Sequence, residues 1–101
     1  MISDGQKIVS LNLNLCQIIR ENVFTEKIRR LEKEYSRVGE LDDAIDWALQ
    51  RNPKAFQDYA NGYCIWRTEE LPVSDIPALL IVYKYIEEEN VVILIDVRVF
   101  A

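Results

Sequence analysis

The sequence predicts an α+β fold. It should form a small antiparallel sheet, built from an N-terminal strand and three C-terminal strands, with two helices packed on one face. Three observations lead there. An alternating apolar/polar stretch opens the chain, two segments with helical apolar spacing follow, and β-branched and aromatic runs fill the C-terminal third. With 101 residues, the chain is read as a single domain over 1–101.

The first strand is read from "VSLNLNL". Val9, Leu11, Leu13 and Leu15 point one way, and Ser10, Asn12 and Asn14 the other. It is expected to continue through "CQIIRENV", with a break or bulge near Asn14 where the apolar phase changes toward Ile18 and Ile19. The period then becomes helical in "FTEKIRRLEKEYSRVGEL", where Ile28, Leu31, Tyr35 and Val38 form a stripe. Thr25 is the expected N-cap and Gly39 the expected stop. A second helix is read from "ELDDAIDWALQRNP". Leu41, Ala44, Ile45, Ala48 and Leu49 supply its apolar face, with Trp47 at the edge. Asp42, Asp43 and Asp46 sit toward the positive end of its dipole, and Asn52-Pro53 closes it.

Residues 54–62 read as a connection ending in the turn signal Asn61-Gly62. "YCIWRTEEL" is a short strand with Tyr63, Ile65 and Arg67 on one face and Cys64, Trp66 and Thr68 on the other. "PVSDIP" is a loop. "ALLIVYKYI" and "VVILIDVRVF", joined by "EEEN", form the closing hairpin. If Ile86 faces Val91, strict alternation puts Leu80, Val82, Ile86, Ile93, Ile95 and Val97 on one face. Leu79, Ile81, Tyr83, Tyr85, Leu94, Asp96, Arg98 and Phe100 then share the other. Both faces are apolar, so helices should cover one and a protein partner much of the other.

Half the residues are hydrophobic and 29% are charged, an ordinary globular balance. No apolar run is long enough to cross a bilayer, and "MISDGQKIVSLNLNL" lacks the basic head and cleavage site of a secretory leader, so a cytoplasmic location is expected. Without histidine, Ser-His and Cys-His catalysis is excluded, and two distant cysteines do not make a zinc site. Cys16 and Cys64 are expected as buried thiols, and no metal or cofactor is expected. The net charge is −5, yet residues 16–37 carry six basic against four acidic side chains. Nucleic acid would have to bind at a local basic patch, such as the Arg29, Arg30, Lys33 and Arg37 side of the first helix, which is otherwise a solvated face.

"FTEKIRRL" after the first strand, "NP" closing the second helix, "YCIWRTEE" and "IVYKYIEEENVVILIDVR" together resemble the RelE/ParE toxin superfamily of bacterial toxin–antitoxin modules. The resemblance spans most of residues 16–98. It implies two helices on one face of a small sheet and a groove on the other. It also implies either a metal-independent, ribosome-dependent mRNA endonuclease or a gyrase-directed toxin, silenced by an antitoxin that wraps the domain. Arg67 matches an arginine common on the second strand of the family. Leu79 or Leu80 stands where the ribonucleases place a catalytic arginine, and the acidic balance departs from ribosome-directed members, disfavouring RNA or the ribosome as partner.

Metal-free RNA cleavage needs a base, an acid and cations around the phosphate. The available set is Arg67, Lys84, Tyr83, Tyr85 and Arg98, with Arg67 and Arg98 as phosphate holders and Tyr85 or Lys84 as proton movers, so Arg67, Lys84, Tyr85 and Arg98 are the candidates. The plain alternative is a charged sheet rim with tyrosines at the core edge. On that alternative the fold is a non-catalytic protein-binding module, self-associating or partner-bound through its exposed sheet face. Trp47 and Trp66 are read as packing residues or binding platforms.

Overall fold

The computed structural model of the chain describes residues 15–58, 60–69 and 76–100. The elements run β1 (Gln17–Arg20), α1 (Asn22–Glu34), α2 (Val38–Arg51), β2 (Gln57–Asp58), a 3-10 turn (Ala60–Gly62), β3 (Tyr63–Arg67), β4 (Leu79–Ile86) and β5 (Val91–Val99). The alternating stretch 9–14 and most of the "PVSDIP" loop lie outside the described residues.

The fold is α+β, as the sequence predicts: two helices against a sheet of one N-terminal and three main C-terminal strands, extended by the two-residue β2. The strand order is β1-β5-β4-β3-β2. One detail differs from the expectation. The C-terminal strands pair antiparallel, but β1 runs parallel to β5, so the sheet is mixed. A strand's side-chain period is two in either orientation, so the sequence pattern carries no direction. Direction is fixed by the end of the sheet to which the α1–α2 hairpin and the following reversals return the chain.

The helices form where apolar side chains meet the sheet. Phe24 and Ile28, four apart on α1, are buried, as are Val38, Ile45 and Leu49 on α2. They join one cluster with Cys16, Cys64, Leu79, Ile81, Tyr83, Val92, Leu94 and Val97. The strand residues of that cluster share one face by register: Cys64 faces Tyr83, Tyr83 faces Leu94, and Ile81 faces Val97. We call it the inner face. Phe56 closes its β3–β4 end, stacking on Trp66 at 4.2 Å and meeting Tyr83 edge-on at 6.5 Å, while the Tyr83 hydroxyl donates to the Pro53 carbonyl at 2.7 Å. Trp66 is therefore a packing residue.

Two boundary expectations are corrected. The N-cap of α1 is Glu21, not Thr25; the Thr25 amide already donates to the Glu21 carbonyl at 3.1 Å. The helix must start a turn early because Phe24, with 0% exposure, is its first core residue. Gly39 is not the stop either. The α1 helix ends where Tyr35 turns extended (φ −125, ψ 107), and Gly39 lies in the first turn of α2. Its missing side chain serves the helical corner, since a Cβ there would meet the Glu32 Oε2 at 3.0 Å. Asn52 ends α2 before Pro53, as expected.

A charged clasp ties β1 to α2. Arg20 donates through one terminal nitrogen to Asp42 Oδ1 at 2.8 Å and through the other to Asp46 Oδ1 at 2.6 Å, and its guanidinium lies 5.3 Å from the Phe24 ring centroid. Asp42 and Asp46 stand one helical turn apart, which matches the fork of the guanidinium. Burial works against the Arg20 charge, but the hydrogen bonds it donates to Asp46 and Asp42 outweigh it and raise its pKa. Burial also pushes the Asp42 carboxyl up despite Arg20, helped by Asp46 and Asp43.

Two stability effects follow. Ile45→Ala empties a fully buried site and should cost about 3 kcal/mol, read as a lower urea midpoint at constant m-value. Arg20→Ala leaves two partly buried carboxylates facing each other and should cost about 1–3 kcal/mol. Adding Asp42→Asn should recover part of that loss in a double-mutant cycle; full additivity would show that the clasp does not couple β1 to α2.

Candidate functional site: the outer sheet face

The outer face is set by the β4–β5 hairpin and its one irregularity. Ile86 faces Val91 as expected, and the register holds to Tyr83 opposite Leu94. Between Val82 and Tyr83 it slips, so that Val82 faces Asp96, Ile81 faces Val97 and Leu80 faces Arg98. Ile95 is the extra residue of a β-bulge. Past it, every side chain of β5 changes face relative to strict alternation. The expected assignment is corrected accordingly: Val97 is buried on the inner face (1% exposure), and Asp96 and Arg98 belong with Leu80 and Val82.

Cross-strand rows give the outer face its layout. Arg67, Leu80 and Arg98 form one row, and Ile65, Val82 and Asp96 the next. Tyr63, Lys84, Ile93 and Ile19 form a third, and Ile86, Val91 and Gln17 a fourth. Among these, Val91 is buried, Ile65, Leu80, Val82, Ile86 and Ile93 are half-buried, Ile19 is 43% exposed and Tyr63 38%. None of them belongs to the helix-covered core cluster. The face is thus mostly apolar, with Arg67 and Arg98 in its first row, Asp96 in the second and Lys84 within the third.

The four candidate residues divide between the two faces. Arg67 and Arg98 share a row, with their backbones two strand spacings apart, about 10 Å. Arg67 lies over the Phe100 ring at 4.4 Å, and Arg98 stands 3.6 Å from Asp96 Oδ2. Lys84 is on the same face, four residues from Leu80 along β4, about 13 Å away, and lies over Tyr63 at 5.5 Å. Tyr85 is on the inner face, opposite Val92, and its hydroxyl donates to Asn90 Oδ1 at 2.8 Å. Asn90 occupies the left-handed position of the hairpin turn (φ 54), donates its amide to the Leu15 carbonyl at 3.4 Å and accepts the Gln17 amide at 3.0 Å. Tyr85 is therefore part of the brace that fixes the turn against β1. Tyr83 is also on the inner face, fully buried.

Sequence reading missed Asp96 as a hub. Lys27 of α1 reaches its Oδ1 at 2.6 Å, the Val97 amide donates to the same oxygen at 2.9 Å, and Arg98 flanks it. A cavity of about 220 Å³ beside it is lined by Lys27, Arg30, Leu31, Val97 and Arg98. The signal for this cluster is the bulge, and no periodicity marks it. Burial pushes the Asp96 carboxyl up, but Lys27, the Val97 amide and Arg98 together hold it below the usual carboxylate range.

Chemically, the outer face offers apolar area and separated point charges. Of the four candidates, Tyr85 lies on the opposite face and Lys84 about 13 Å along the strand, so neither converges with the Arg67–Arg98 row.

The Asp96 cluster contributes stability that is fully present above the unfolded carboxylate pKa and is lost as pH falls through the lowered folded value. Urea midpoints should therefore drop below about pH 4, and Asp96→Asn should flatten that drop while lowering the midpoint at neutral pH. An unchanged acid slope in the variant would remove Asp96 from the acid response. No protein-family model matches the chain, and no curated protein is significantly similar to it.

Proposed function

We propose that this chain is a protein-binding component on a RelE/ParE-like toxin fold, which holds a partner protein along the outer face of its sheet. The observation that supports this most directly is the four-row, mostly apolar face, left out of the helix-covered core, with Arg67 and Arg98 at one end and Lys84 within its third row. An apolar sheet face of this kind gains free energy when another chain covers it. The three cations, with one acidic neighbour in Asp96, favour a segment carrying apolar and acidic side chains. Strand or helix addition over the face is the expected mode.

Binding is favoured over RNA cleavage by the layout of the candidates. Tyr85 braces the Asn90 turn on the inner face, and Lys84 sits about 13 Å along the strand from the arginine row. Arg67 and Arg98 then act as charged edges that orient the partner.

The test is co-expression with the adjacent reading frame, followed by co-purification and a growth assay. The two products should co-purify, and Val82→Glu or Ile93→Glu should lower recovery of the complex at least about tenfold while circular dichroism stays native. Arg67→Ala and Arg98→Ala should weaken it a few-fold, more at low salt than at high salt. Expression of the chain alone should leave growth unaffected. Growth arrest that vanishes in Arg67→Ala would overturn the binding reading in favour of cleavage.

A further inference from the structure

The solvent side of α2 carries a second feature that the outer-face reading does not use. Trp47 is 61% exposed, the most exposed large hydrophobic side chain among the described residues. Beside it lies a groove of about 650 Å³ between α2 and the β3 end of the sheet, walled by Leu41, Ala44 and Ala48 on one side and by Trp66 and Ile76 on the other. Ala44 and Ala48 on α2 are small, so a facing helix can approach closely there.

The pattern along this side of α2 is self-complementary. Glu40, Ala44, Trp47 and Arg51 are spaced 4-3-4, and at 100° per residue they fall within roughly a 60° sector of the helix. Read from either end, the stripe runs charge, core, core, charge, with opposite signs at its two ends. Turned about a two-fold axis at its midpoint, Trp47 comes over Ala44 of the other helix and Arg51 meets Glu40. Each contact then occurs twice, as an isologous interface demands. The local partners allow this. Arg51 stacks on the Trp47 ring at 4.2 Å and donates to the Trp47 carbonyl, so it rides with the indole; Glu40 is held by Arg37 in a solvent-exposed pair worth little.

We infer that the chain forms a two-fold dimer through antiparallel packing of α2 on α2 of a second copy, with each Trp47 seated over Ala44 and Ala48 of its partner and an Arg51–Glu40 pair at both ends. Charge complementarity selects a second copy here. Opposite charges bracketing a large residue and a small one, in a spacing that reads the same in reverse, match this surface to itself. The groove reaches the outer sheet face at Arg67, which also lines it, but the apolar rows of that face lie on the far side of the sheet from α2, so the dimer leaves them open.

Sedimentation velocity on the full chain over a concentration series tests this. The wild type should show a concentration-dependent dimer, and Trp47→Ala should weaken it at least about tenfold. Because Trp47 is largely exposed, its replacement leaves the core intact, which circular dichroism verifies. The charge pairs give the sharper test. Glu40→Arg and Arg51→Glu, each alone, place like charges at both ends and should weaken self-association several-fold. Mixed one to one, the two variants restore both pairs and should form a heterodimer at wild-type strength. A wild-type chain that stays monomeric to about 1 mM, a dimer indifferent to Trp47→Ala, or variants that fail to recombine on mixing would each overturn the inference. So would a dimer lost in Val82→Glu alone, which would place self-association on the outer sheet face.

Discussion

The pairing of β4 with β5 is the constraint on which the rest of the molecule depends. It provides the longest ladder, nine residues against eight, and its two faces define the inside and outside of the protein. The inner face carries Leu79, Ile81, Tyr83, Leu94 and Val97, all but removed from water, and both helices pack there. The bulge at Ile95 lets this be so. Without it Val97 would point away from the helices and Asp96 and Arg98 would point into them, a placement two charged groups could hold only at a large desolvation cost. One inserted residue thus reconciles a hydrophobic last strand with a charged pair near its end.

The bulge also connects fold to function. It puts Arg98 in one row with Leu80 and Arg67, and it turns Asp96 to the outer face, where Lys27 of α1 still reaches it. The outer face becomes mostly apolar, with Arg67 and Arg98 at one end and Lys84 within its third row, and the proposed partner binding rests on this surface. Tyr85 shows the same logic in reverse. It alternates onto the inner face, where its hydroxyl is used up in fixing Asn90.

Two bundles of interactions hold the layers in register. At one side the Arg20 fork joins β1 to Asp42 and Asp46 of α2, and stacks near Phe24 of α1. At the other, Phe56 lies on Trp66 and Tyr83, pinning the connection after α2 to the sheet. Between them α2 is anchored by Ile45 and Leu49, and its opposite side, with Trp47, is left to solvent. The same helix therefore serves the core along one stripe and carries a self-matching surface along another.

Local patterning determined a good deal. The order of strand, two helices and late strands was legible from the switch between period two and period 3.6. The end of α2 was legible from Asn52-Pro53, and the Ile86–Val91 hairpin register from the "EEEN" turn. Each of these depends on residues close together in the chain. What only tertiary structure decided depends on residues far apart. The parallel docking of β1 on β5 was one such feature, because strand period is blind to direction. The early start of α1 at Glu21 was another, because Phe24 had a core to reach. The bulge at Ile95 was a third, because alternation on one strand cannot register the slip that its neighbour imposes. The candidate site inherits that division: its residue types were visible in the sequence, and their sorting onto two faces was set by how β5 met β4.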